Sequence, residues 1–218
     1  MALAKIGDTK SETGESTFQQ ALVPFLRHDN QEIAETAAIA LGVLANESTA
    51  QPLIDLVVDN AIGRALVDRK EVAYRTRASA AYGLALIGKQ TGSLELQQQI
   101  VEALFRTLET ERTSTRDLKT ACVIALGLVP INEASAYEPA EGRKEGPDSK
   151  LSRSYRRGQI LALLGYLQDK RNHEIARAHV PTALARLCEG LRPERFEALK
   201  REIAPTLLGA ATREEKSD

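Results

Sequence analysis

Apolar residues along this chain recur at helical intervals. Phe18, Leu22, Phe25 and Leu26 follow offsets of 0, 4, 7 and 8, and Leu96, Ile100, Leu104 and Leu108 recur at every fourth position. Each set therefore lines one face of a helix. Leu53, Leu56 and Val57 repeat the pattern more briefly, ahead of a looser stretch from Asp59 to Lys70. Between these lie denser apolar segments, each built around a glycine. Ala34 to Leu44 around Gly42, Arg75 to Ala85 around Gly83, Lys119 to Val129 around Gly127 and Arg157 to Leu167 around Gly165 align without gaps, and a weaker fifth copy surrounds Gly209. The glycines are 41, 44, 38 and 44 residues apart, the period of stacked helix pairs.

Counted from the glycine, positions minus nine, minus five, minus two, minus one and plus two fall on one helical stripe. They hold Ile33, Ala37, Ala40, Leu41 and Leu44 in the first copy, Tyr74, Ala78, Ala81, Tyr82 and Ala85 in the second, and Leu118, Cys122, Ala125, Leu126 and Val129 in the third. The fourth copy keeps Ile160, Leu163, Leu164 and Leu167 but begins with Arg156, and the fifth begins with Lys200. Both sit at a helix start, where a long side chain reaches water. Glycine inside a helix costs about 1 kcal/mol relative to alanine, so a column of glycines predicts that a neighbouring helix backbone approaches too closely for a side chain. Polar turns at His28 to Asn30 and Glu111 to Ser114 separate the paired helices, with Asn30 and Ser114 as N-caps.

Read continuously, Val23 to Asn46 runs VPFLRHDNQEIAETAAIALGVLAN. This resembles the HEAT repeat, whose second helix typically reads Val-Arg, two variable residues, Ala-Ala, one variable residue, Ala-Leu-Gly. The resemblance covers most of the chain and is strongest in the first three copies. It implies an all-α fold, a right-handed α-α superhelix of about five helical pairs forming a single solenoid over residues 1–218. The second helices of such an array line its concave surface.

Two stretches depart from the pattern. Residues 130–150, PINEASAYEPAEGRKEGPDSK, carry three prolines, two glycines and eight charged residues, so they bury no face and replace or shorten the first helix of the fourth repeat. Ala2 to Asp8 resembles the last turns of a glycine-type helix, with Ala4 at the glycine phase 38 residues before Gly42. The chain thus reads as a segment of a longer array, or as one whose first repeat has decayed into a cap. Its compartment stays open, with the cytoplasm slightly favoured.

Composition agrees with helices: the 218 residues include 31 alanines and 28 leucines, 4% aromatics and no tryptophan, where a sheet would draw on β-branched and aromatic residues. A net charge of -1 argues against bulk attraction to nucleic acid or anionic lipid. No run of 18 apolar residues marks a membrane span. The two cysteines, Cys122 and Cys188, are too few for a disulfide framework or a zinc site and read as small buried hydrophobes.

Candidate chemistry is sparse. A basic column at position minus eight, Arg75, Lys119, Arg157 and Arg201, either tracks phosphates or, as is usual in HEAT repeats, bonds neighbouring carbonyls and acids. His173-Glu174 is similar to the iron-binding His-Glu pairs of deoxyhypusine hydroxylase, but a metal site needs three or four converging ligands. The repeat also resembles those of phycobilisome bilin lyases and of a HEAT-like alkylpurine DNA glycosylase, without a motif that singles out either activity. No catalytic residue, metal site or cofactor is expected. The expectation is a non-catalytic protein-interaction or scaffolding module that takes another protein or peptide on the concave face. The alternatives are an enzyme scaffold of lyase or hydroxylase type, or weak nucleic-acid binding through the basic column. Expected contact residues are Thr36, Arg77, Arg153, Tyr155 and Arg156, on phases read as exposed or beside the 130–150 insertion.

Overall fold

The structure, a computed structural model, describes residues 1, 2, 5, 17–111, 116–131, 152–189 and 191–214. Eleven α-helices and three short 3-10 turns, with no strand, make up the described residues. They are α1 (Thr17–Leu22), α2 (Gln31–Val43), α3 (Ala50–Val57), α4 (Ala61–Val67), α5 (Tyr74–Gln90), α6 (Leu94–Thr110), α7 (Arg116–Leu128), α8 (Arg156–Gln168), α9 (Glu174–Ala178), α10 (Val180–Cys188) and α11 (Pro193–Glu214). The protein is all-α. One continuous apolar core runs through it from Leu22 to Ile203.

Local sequence sets the boundaries. Asn30, Asn46, Asn60 and Ser93 each accept a backbone N–H with their side chain at a helix or turn start. His173 does so through Nδ1, which accepts the Ile175 N–H at 3.2 Å. The helix expected at Phe18 to Leu26 tightens after Leu22 into a 3-10 turn at Pro24, because proline supplies no N–H for the α pattern. The stretch from Asp59 to Lys70 is more regular than its sequence: Asn60 caps α4, and Gly63 lets α4 lie against α3, where an added Cβ would stand 2.1 Å from the Asp55 carbonyl oxygen. The cap at Ser114, the Ala2 to Asp8 segment apart from Ala2 and Lys5, and the 130–150 stretch apart from Pro130 and Ile131 lie outside the described residues.

The glycine column is borne out in its first half. A Cβ on Gly42 would stand 2.1 Å from the Gly83 Cα, and one on Gly83 would stand 3.0 Å from the Ala38 carbonyl oxygen. Glycine is required here because α2 and α5 pack backbone to backbone. α7 packs on α5 in turn. The column then changes partner. A Cβ on Gly127 would meet Ala183 Cα at 2.5 Å, so the helix packed on α7 at this point is α10, whereas a Cβ on Gly165 or Gly209 would meet nothing of another element within 4 Å among the described residues. The expectation that Gly165 and Gly209 continue the close contact is therefore corrected.

Two recurring fasteners show why α8 does not take the place of α5 or α7. Thr49 at the threshold of α3, Gln97 on α6 and Gln159 on α8 are all buried, and each donates to carbonyls at the end of the preceding glycine helix. Thr49 Oγ1 reaches Leu41 and Asn46, Gln97 Nε2 reaches Gly88 and Thr91, and Gln159 Nε2 reaches Leu126 at 2.7 Å and Val129 at 3.0 Å. By this bond α8 corresponds to α3 and α6, the first helices of their pairs. The second fastener is an arginine on a later helix. Arg77 Nε donates to the Val57 carbonyl at the end of α3, and Arg177 Nε donates to the Leu167 carbonyl near the end of α8. Arg77 stands six residues before Gly83, and Arg177 six before Ala183. α2, α5, α7 and α10 thus pack side by side in that order, with α9 just ahead of α10, and the fourth glycine segment, on α8, lies outside that row.

The stripe also frays at its leading position. Leu118 is fully buried, but Ile33 is 37% exposed and Tyr74 43% exposed, since the first turns of α2 and α5 extend past the helices that cover their middles.

Candidate functional site

An open groove of about 580 Å³ crosses α2, α5, α7 and α9 near their N-terminal ends. It is lined by Glu35 of α2, Arg75, Ala78, Ser79 and Tyr82 of α5, Arg116, Asp117 and Thr120 of α7, and Ile175 of α9. Each helix buries its apolar stripe in the core and turns the polar positions flanking that stripe toward the groove. Successive helices bring together side chains some forty residues apart in sequence.

Charge is layered by depth. Glu35 is only 15% exposed, whereas Arg75, Arg116 and Asp117 are at least half exposed on the rim. Glu35 Oε1 lies 3.1 Å from Arg75 Nε as an ion pair, yet the solvent-shielded oxygen accepts no hydrogen bond. Thr120 Oγ1, also shielded, has no hydrogen-bond partner among the described residues either. Arg116 and Asp117 stand 3.8 Å apart at the start of α7, an exposed pair that adds little to stability. Two carboxylates and two guanidiniums leave the lining formally neutral. Burial pushes the Tyr82 hydroxyl above its ordinary pKa, so it serves as a neutral hydrogen-bonding group.

The expected contact residues are dispersed. Thr36 is exposed on α2 beside Glu35. Arg77 is not on an exposed phase: its side chain is 11% exposed and pairs at 2.5 Å with Glu111, itself 8% exposed, while its Nε holds Val57. Position minus six on α5 points toward the ends of α3 and α6, which fixes Arg77 as a clamp between helices. Arg153 lies 4.9 Å above the Phe105 ring and pairs with Glu109 of α6, burying all but 12% of its side chain. Arg156 Nε donates to the Ile131 carbonyl at 3.1 Å, and half-buried Tyr155 is the N-cap residue of α8. Arg153 and Arg156 anchor the chain where it returns at 152–156. Of the basic column, Arg75 alone lines the groove; Arg157 and Arg201 are exposed elsewhere.

Sequence reasoning missed Glu35, Tyr82, Asp117 and Thr120 as a set. The available signal was weak: polar residues at minus seven in the first and third copies, Glu35 and Thr120, beside a basic minus-eight position in the second.

Among the described residues, no group of three or more His, Cys, Asp or Glu side chains converges on a metal-sized site. No described helix is long and apolar enough to cross a membrane. Burial pushes the Cys122 thiol up to about 12, which leaves it protonated and unreactive at neutral pH. In comparisons with known proteins, no family model, no curated protein and no solved structure matches this chain.

Proposed function

We propose that the protein is a non-catalytic interaction module, a HEAT-like α-solenoid whose row of second helices receives another protein. The observation that carries this reading is the groove across α2, α5, α7 and α9, where a surface assembled from successive helices holds two shielded oxygens that accept or donate no hydrogen bond among the described residues. Buried polar atoms are ordinarily satisfied, and a bound partner supplies what the chain does not. The groove is open and neutral, and its hydroxyls and ion pairs suit recognition better than bond-making chemistry. In support of the repeat architecture stand the backbone contact of Gly42 with Gly83 and the two fasteners that recur along the helix pairs.

A photocrosslinking amino acid at Thr36, beside the groove, tests the reading against one at Arg106 on exposed α6 surface. The expected result is a single partner polypeptide captured from Thr36 alone and competed away by excess unmodified protein. Equal capture from both positions, or capture that competitor leaves unchanged, contradicts it.

A further inference from the structure

We infer that the groove takes an extended peptide segment bearing a lysine or arginine side chain, which enters to donate to Glu35, with an acidic neighbour on the rim. This rests on the proposed interaction role and narrows it to one ligand chemistry. The deep end of the groove is a carboxylate whose shielded Oε1 accepts no hydrogen bond among the described residues, while the cation paired with it, Arg75, is half exposed on the rim. A shielded, unsatisfied carboxylate oxygen favours an N–H donor, and a charged donor is the stronger one. As the incoming cation takes Glu35, Arg75 is released to the rim beside Arg116, where the two meet a carboxylate of the ligand.

The rest of the lining fits a polypeptide. Shielded Thr120 Oγ1 both donates and accepts, matching a peptide amide. Tyr82 and the 39% exposed Ile175 offer apolar surface for a neighbouring side chain. Packed helices lie about 8–10 Å apart, so a crossing of α2, α5 and α7 covers about 16–20 Å, the length of about five or six extended residues at roughly 3.3 Å each. A polyanion such as nucleic acid fits poorly, because its binding is driven by neutralising phosphates with unpaired cations, and here each arginine has an acid beside it.

The test is fluorescence anisotropy with a positional-scanning library of N-acetylated, C-amidated hexapeptides on the whole chain. Pools with lysine or arginine at one fixed position are expected to bind roughly tenfold or more tighter than pools with glutamate there. Glu35→Gln, which keeps the side chain's shape and is checked for folding by circular dichroism, is expected to erase that preference, whereas Arg157→Gln outside the groove leaves it intact. A basic preference that survives Glu35→Gln, or no basic preference at any position, overturns the inference. Peptide pools selected by some other rule, together with a competed crosslink at Thr36, would overturn this ligand class while sustaining the interaction reading; no peptide binding and no competed crosslink would sink both.

Discussion

The two halves of the molecule solve the same packing problem differently. From α2 to α7, helices meet at glycine: Gly42 and Gly83 bring backbones into contact, and the first turns of α2, α5 and α7 open the groove. Beyond residue 131 the contact on α7 is made by Ala183, while a Cβ on Gly165 or Gly209 would meet nothing within 4 Å among the described residues. A glycine in a helix therefore says nothing by itself about close approach; the neighbour decides. What does persist across both halves is polar: a buried Thr or Gln on the first helix and an arginine on a later one, each bonded to the carbonyls of a helix end. Such carbonyls lack partners within their own helix, so these helix ends meet the same demand, whatever residue sits at the glycine phase.

The largest expected effect breaks the first half at its clamp. Arg77→Ala takes the guanidinium away from the buried Glu111 carboxylate and leaves the Val57 carbonyl only the long 3.5 Å bond from Thr107 Oγ1. Chemical denaturation is expected to register a loss of about 3–5 kcal/mol. A smaller loss, about 1–3 kcal/mol, is expected for Gly42→Leu, whose side chain must push α2 away from Gly83. A change of less than half a kcal/mol in either variant would show that this half is not held together as described.

A pH profile sharpens the comparison at the corner between α3 and α4. Burial acts to raise the Asp59 carboxyl, but its bonds to Arg64 and to the Val72 N–H outweigh this and hold it below its ordinary value. A carboxyl depressed in the folded state stabilises above its unfolded pKa, about 3.9, and loses that contribution as pH falls through the folded value. Asp59→Asn is expected to lower stability at pH 7 and to flatten the acid limb below about pH 4. Asn tolerates the left-handed backbone at this position, φ 53°, so the change removes the charge and one of the two oxygens that accept from Arg64 and the Val72 N–H without straining the backbone. An unchanged acid limb would remove Asp59 from the account.

Much of the fold was legible in the sequence, and the limits have physical causes. Asn30 announced the start of α2 because capping is local chemistry. The Gly42 and Gly83 contact was legible because two segments shared both glycine and stripe. The fourth segment misled: Arg157 to Leu167 carries a glycine and leucines at the right spacings, but that pattern also describes a first helix with one face on the core. The helix that packs on α7 instead, α10, bears alanine at position 183, 56 residues after Gly127, so neither residue type nor period marked it. Arg77 failed for a related reason, since exposure at its phase depends on whether α6 ends beside it. The groove was nearly invisible because Glu35, Arg75, Asp117 and Thr120 each look like a solvated surface residue until three helices stand side by side.

Equilibrium denaturation of Gly127→Ala and Gly165→Ala, measured together, tests most directly whether α10 rather than α8 packs on α7. Gly127→Ala drives a Cβ to 2.5 Å from the Ala183 backbone and is expected to destabilise, whereas Gly165→Ala places a methyl in open space and is expected to stabilise by up to about 1 kcal/mol through helix propensity. Opposite signs are the predicted result; a loss of stability at both positions would contradict the account, because it would place a close neighbour against Gly165.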